Sequence, residues 1–331
     1  MGLILPVGLI IVLIVAANVA AARRNGALAA AFDGALLLFN LPLVLVGLAL
    51  LAAPPDAAAD LAALSGLPLL DLAAAGWVTL GMGAWGVLSC LRPARRLLAR
   101  ALPLDPLSPV HALALALVGY LVGNTALTLT QGGLQELAEA AITVSLLDVV
   151  VQQALFVLAA LFGVGFLVRR NGRDLQARLG LERPTAAQLR LGLRWIVLLV
   201  LLQWAIGAAW ALLDPEQAEL LGSINESMLA GFNTLGDWFV LALAAGVGEE
   251  ILFRGALQPV LGLGFTSLLF AIVHVQYGIT PITFAVFLIG LAIGVLRQRT
   301  NTTVAIFVHF GYNFVLGLLS LLAVYLERFV A

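Results

Sequence analysis

Glu249 and Glu250, followed by Arg254, interrupt Leu241–Leu261, a run otherwise apolar enough to cross a bilayer. Intramembrane charge costs about 2.5–3.5 kcal/mol per group on insertion scales, so it is kept there for a partner or for chemistry. On a helix Glu250 and Arg254 lie one turn apart on one face and can pair. Glu249 is rotated about 100° away and points elsewhere. One carboxylate is then neutralised structurally while its neighbour stays available as a base. Two further pairs follow: Phe270 with His274, and His309 with Asn313, each at i, i+4. Side chains at that spacing share a face, so each pair can project into one bundle interior. Glu249, His274, His309 and Asn313 together make a carboxylate, two imidazoles and an amide donor. Water activation and oxyanion stabilisation need such a set.

Each residue also has a plainer reading. Glu250 with Arg254 is a structural ion pair, and Glu249 could be a second partner of the same arginine. A histidine or Asn313 can serve as interhelical hydrogen-bonder, and Phe270 as core. Their joint occurrence, in order, is what points to chemistry.

The setting follows from composition. Of 331 residues 62% are hydrophobic and 11% charged, and mean hydropathy is +1.08. Soluble domains are nearer half apolar and a quarter charged, so the chain reads as an all-α, polytopic transmembrane bundle. Only helices or closed barrels satisfy the backbone in lipid. The net charge of −1 names no partner, and nucleic acid is not expected. Cys90 is the single cysteine, which excludes an intrachain disulfide and a cysteine-built metal site; it reads as apolar filler.

About ten spans of roughly 20 residues are expected. They are Leu3–Ala22, Ala27–Ala53, Ala73–Leu91, Pro109–Thr130, Ser145–Val168, Trp195–Leu213, Trp238–Val260, Phe265–Ile279, Ile282–Leu296 and Thr303–Tyr325. The first lacks a basic lead and is read as an uncleaved anchor. Pro54-Pro55 ends the second, and a basic loop, Arg92–Arg100, follows the third. Arginines fall in alternate loops: Arg23 and Arg24, the Arg92–Arg100 group, seven from Arg169 to Arg194, and Arg297 with Arg299. Arg254 and the terminal Arg328 are the exceptions, and the intervening loops carry acids. By the positive-inside rule the arginine side is cytoplasmic and both termini lie outside. A re-entrant eighth or ninth segment would break this threading.

Residues 1–170 read as a five-span region, 171–194 as a cytoplasmic or interfacial connector, and 195–326 as the core carrying the polar pairs. Within the connector, Thr185 and Gln188 have capping-box spacing, so a helix is expected to start at Thr185. Asp33 is expected to snorkel to the interface, and His111 to do no chemistry. Asp148, Gln152 and Gln153, like Asn124 and Thr128, could contact substrate or act as interhelical glue; glue is preferred.

Glu249-Glu250-x-x-x-Arg254, Phe270-x-x-x-His274 and His309-x-x-x-Asn313 resemble the three signature motifs of the CAAX protease and bacteriocin-processing (ABI) family of intramembrane endopeptidases, which includes the type 2 CAAX prenyl protease. The run Arg178–Pro184 resembles the lead-in to that family's core. The likeness covers about Leu179–Leu326, and no motif position departs from it. It implies that Glu249 activates the attacking water with help from His274. It implies that Glu250 and Arg254 hold the site together, and that His309 and Asn313 stabilise the oxyanion.

The expected protein is therefore a plasma-membrane endopeptidase acting on membrane-anchored or lipophilic peptide segments. A CAAX-type prenylated substrate is possible but is not the preferred one. An ion-coupled transporter would also carry mid-membrane charge, but would be expected to show an internal repeat, and none is visible. A non-proteolytic immunity or scaffold protein is the other alternative. For metal, His274, His309 and Glu249 match a His₂Glu zinc set, but the usual His-Glu-x-x-His pattern is absent. If Glu249 were a ligand, Glu250 would have to be the base and Arg254 would lose its partner. Metal-independent water activation is thus the preferred expectation, with no cofactor. The arginine map predicts that cysteines introduced as Ala94→Cys and Ala177→Cys are labelled by an impermeant thiol reagent from the cytoplasm alone, and Ala218→Cys from outside alone. Cytoplasmic labelling of Ala218→Cys would re-thread the core.

Overall fold

The computed structural model describes residues 4–54, 56–65 and 71–330; Leu3, Pro55 and the side chain of Arg328 lie outside them. Among the described residues every extended element is helical. Seven helices are long and apolar enough to cross a membrane, and Gly8–Ala22 and Leu263–Ile272 are shorter apolar helices. Many large apolar side chains face outward, among them Leu38, Leu45, Trp77, Trp204 and Leu212. Lipid covers such a surface at no cost, whereas water would not.

The chain divides into two compact units, residues 1–136 and 137–331. The first holds α1 (Ile4–Ala22), α2 (Gly26–Leu51), α3 (Ala57–Ser65), α4 (Leu72–Cys90), α5 (Arg92–Leu98) and α6 (Pro109–Thr130), and α7 (Gly133–Glu139) straddles the division. Here α4 packs between α2 and α6. The expected basic loop after the third span is the helix α5, and Arg95 within it is fully buried. Asp33 does not snorkel: it pairs with Arg95 Nη2 at 2.9 Å and with Arg92 Nε at 3.3 Å. Arg95 also donates to the carbonyls of Ser89, Cys90 and Pro106, so every guanidinium nitrogen has an acceptor, which offsets the cost of burying its charge. Two partners held this well replace the water that a snorkelling carboxylate would seek. His111 Nδ1 accepts the Asp105 N–H at 2.8 Å and braces a turn.

The second unit holds α8 (Leu146–Gly163), α9 (Gly172–Leu179), α10 (Ala186–Leu213), α11 (Pro215–Leu229), α12 (Leu235–Glu249), α13 (Gln258–Leu261), α14 (Leu263–Ile272), α15 (Pro281–Arg299) and α16 (Thr302–Val330). The fifth span, α8, falls in this unit and packs on α12. The helices start where local chemistry satisfies their first N–H groups. Capping boxes stand at Ser145 with Asp148, Thr185 with Gln188, and Thr234 with Asp237. Asp148 is therefore a cap, and the expected start at Thr185 is met.

One end of this unit collects the basic segments. Thr302 N–H donates to Gly180 O at 2.8 Å and Thr302 Oγ1 to Leu179 O at 2.6 Å, joining the end of α9 to the α15–α16 junction beside Arg297. At the opposite end α11 packs on the short 3₁₀ turn Val275–Tyr277. The chain between these ends includes α14, which is only 10 residues, about 15 Å, long. The eighth span is therefore shorter than the Phe265–Ile279 expected for it. Gly262, at φ 77°, splits the apolar run from α13, and His274, at ψ 58°, ends it.

Asp33→Asn should strip the charge partner from Arg95 and lower unfolding free energy in detergent by about 3–5 kcal/mol, whereas replacing both residues by apolar ones should recover much of the loss. Parental stability in Asp33→Asn would show that backbone carbonyls alone suffice for Arg95.

Candidate active site

The site is built on α12 and its continuation. After Glu249 the backbone widens into π geometry over Glu250–Leu257 before α13 resumes. Such wide turns recur at functional positions, because the added residue re-aims side chains and frees carbonyls. The carbonyls of Gly255 and Ala256 accept from Arg178 of α9, at 2.7 and 3.2 Å. Burial, with Arg170, Arg297 and Arg169 nearby, pushes Arg178 down to about 10, so it is still a cation at neutral pH. Two glycines bring neighbours close: a Cβ on Gly246 would lie 2.9 Å from the Phe310 nitrogen of α16, and one on Gly248 would lie 2.3 Å from Gln153 Oε1 of α8.

Glu250 and Arg254 are wholly buried. Arg254 Nε lies 3.2 Å from Glu250 Oε2, an ion pair without hydrogen-bond alignment, and the guanidinium sits over the Phe270 ring at 4.9 Å. The other Glu250 oxygen, Oε1, accepts from His309 Nδ1 of α16 at 2.8 Å. That bond places a proton on Nδ1 and leaves Nε2 directed at Glu249, 3.8 Å from Oε2. The gap is too long for a direct hydrogen bond. Glu249 Oε1 accepts from Gln153 Nε2 at 3.0 Å, while Oε2 is buried with no protein hydrogen-bond partner. His309 thus stands between two carboxylates, one held by an arginine and the other by a glutamine.

His274, at the end of α14, donates Nδ1–H to the Phe270 carbonyl at 2.7 Å, which leaves Nε2 as a lone-pair acceptor in the neutral ring. Its ring stacks on Tyr277, 5.9 Å away and 8° from parallel. Phe270 touches both imidazoles, at 4.7 Å from His274 and 6.0 Å from His309, and meets Phe253 edge-on at 5.2 Å. It is the hub on which the site's rings and its arginine pack. Asn313 lies one turn beyond His309 on the same side of α16 and is half-buried. Along their helices Glu249, His274, His309 and Asn313 all lie about 10–17 Å from the arginine-bearing end.

The structure therefore gathers Glu249, Glu250, Arg254, Phe270 and His309 directly, brings His274 in through Phe270, and aligns Asn313 by helix register. Gln153 makes an interhelical hydrogen bond, the role preferred for it, from α8 to Glu249 on α12; its partner could not be read from the sequence. Gln152 is exposed, and Thr128 bonds within its own helix, to Asn124 O. For zinc, no three His, Cys, Asp or Glu side chains among the described residues are arranged to hold a metal. Both imidazoles pack on Phe270, and each commits its Nδ1, His274 to a carbonyl and His309 to Glu250.

Glu250→Gln and Arg254→Leu should each leave a buried charge without its partner, at about 3–5 kcal/mol, and so reduce folded yield in membranes. Fluorescence-detected size exclusion would measure this, and yields equal to the parent would remove the pair from its structural role.

Residues 231–315 match the family model described as Rce1-like, type II CAAX prenyl endopeptidase, and this segment contains all three motifs. Searches of curated proteins and of solved structures returned no match. The chain is thus a multi-pass membrane protein whose residues 231–315 are similar to the Rce1-like, CAAX-type intramembrane endopeptidase family.

Proposed function

We propose that the chain hydrolyses peptide bonds of membrane-anchored substrates with a water activated by Glu249, without a metal. The observation that carries this reading is the asymmetry of Glu249: Oε1 is tied to Gln153, and Oε2, without a protein partner, faces His309 Nε2. In the proposed step Glu249 Oε2 takes a proton from water as the hydroxyl oxygen attacks the scissile carbonyl. The lone pair on His274 Nε2 orients that water. Negative charge then develops on the carbonyl oxygen, where His309 and the Asn313 amide donate. For His309 to donate from Nε2 it must carry a second proton. Glu249 and Glu250 against Arg254 and a protonated His309 then sum to zero, the cheapest total for lipid. Collapse of the tetrahedral intermediate breaks the C–N bond, and the proton on Glu249 passes to the leaving amine. The products are a carboxylic acid and an amine.

The substrate class is a peptide held at the bilayer by its own lipid or apolar segment, since the site is lined by helices apolar enough to cross a membrane. A prenylated CAAX-type C-terminus is the first to test, because the matching family model carries that description. The plasma membrane is the proposed location.

Glu249→Gln should abolish cleavage of a farnesylated CAAX-terminated peptide in lipid nanodiscs while leaving thermal stability near the parent's. His309→Ala and Asn313→Ala should each cut turnover by about 10²–10³, the scale for losing one oxyanion donor. Full turnover by Glu249→Gln would sink the assignment. Turnover should also survive prolonged chelation; activity lost with one zinc per chain and restored by adding it back would establish a metalloprotease instead.

A further inference from the structure

We infer that Gln153, on α8 and outside the segment matched by the family model, is the positioning residue that fixes the Glu249 carboxylate. This inference rests on the reading of Glu249 as the base. Gln153 is buried, 6% exposed, and its Nε2 donates to Glu249 Oε1 at 3.0 Å across 96 residues of sequence. An ionised carboxylate only accepts, so the amide must present its nitrogen. The bond locks the rotation of the carboxylate about its last side-chain torsion, a broad and otherwise weakly restrained angle. It thereby decides which oxygen is committed to the protein and which is turned to His309.

The helix crossing is built to permit this contact. A Cβ at Gly248 would lie 2.3 Å from Gln153 Oε1, 2.8 Å from its Cβ and 2.9 Å from its carbonyl oxygen. Any larger residue there must push α8 away from α12. The other groups facing Glu249 do not supply the same restraint. His309 Nε2 stands 3.8 Å off Oε2, and Glu250 and Arg254 are paired with each other. Tyr277 lies within Coulombic reach of Glu249.

The test uses the full chain in nanodiscs with the farnesylated peptide and, separately, dicyclohexylcarbodiimide, which modifies carboxyls in apolar surroundings and needs no turnover. Gln153→Met keeps the length and removes the donor. It should lower kcat by about 10–100-fold with KM within twofold, and Gln153→His, which can still donate, should recover part of that loss. Mass spectrometry should show Glu249 modified several-fold faster in Gln153→Met than in the parent. Gly248→Ala should shift both readouts in the same direction. A purely structural Gln153 would lower thermal stability and leave labelling of the folded fraction unchanged, and that outcome overturns the inference. If the parent does not cleave the peptide, or Glu249→Gln still does, the proposed function fails on that evidence. The labelling comparison then decides the role of Gln153 by itself.

Discussion

The second unit depends on keeping two adjacent carboxylates inside an apolar helix bundle. Neither could stay ionised there alone, because each charge loses the water that stabilises it. Arg254 and His309 answer Glu250, and Gln153 with the facing edge of His309 answers Glu249. Each answer comes from a different place: the same helix, α16 and α8. The charges therefore set which helices must meet, and the small residues on α12 allow them to meet closely. Phe270 supplies the remaining contact, offering a ring face to the guanidinium and ring edges to its aromatic neighbours.

The proposed function rests on unequal treatment of two chemically identical groups. Glu250 has lost its freedom to an arginine and a histidine and lies wholly buried. Glu249 keeps one oxygen uncommitted. A single residue of helical offset produces this difference, because adjacent side chains on a helix point about 100° apart. The wide turn beginning at Glu250 then passes the chain from the site to carbonyls held by Arg178, so one stretch carries both the paired carboxylates and an anchor point.

Much of this was legible in the residues. Spacing placed Glu250 beside Arg254, and His309 with Asn313 on one face, because helical period is a local property. The capping pair Thr185–Gln188 was equally local. Contacts between distant elements were not legible. Gln153 to Glu249, and Asp33 to Arg95, join segments 96 and 62 residues apart, and nothing in the period of either helix names its partner. The length of α14 escaped for another reason: an apolar run reads as one span even where its backbone leaves the helix within it, as it does at His274.

The bracing of the wide turn bears on where the working piece of this chain begins. A shortened chain starting at residue 231 would contain every motif that identifies the family. It would lack α8, and with it the amide on Glu249, and α9, whose arginine holds the carbonyls of Gly255 and Ala256. Recognisable and self-sufficient are thus different boundaries in this molecule: the motifs mark out the candidate groups, and the compact unit that disciplines them starts at Leu137.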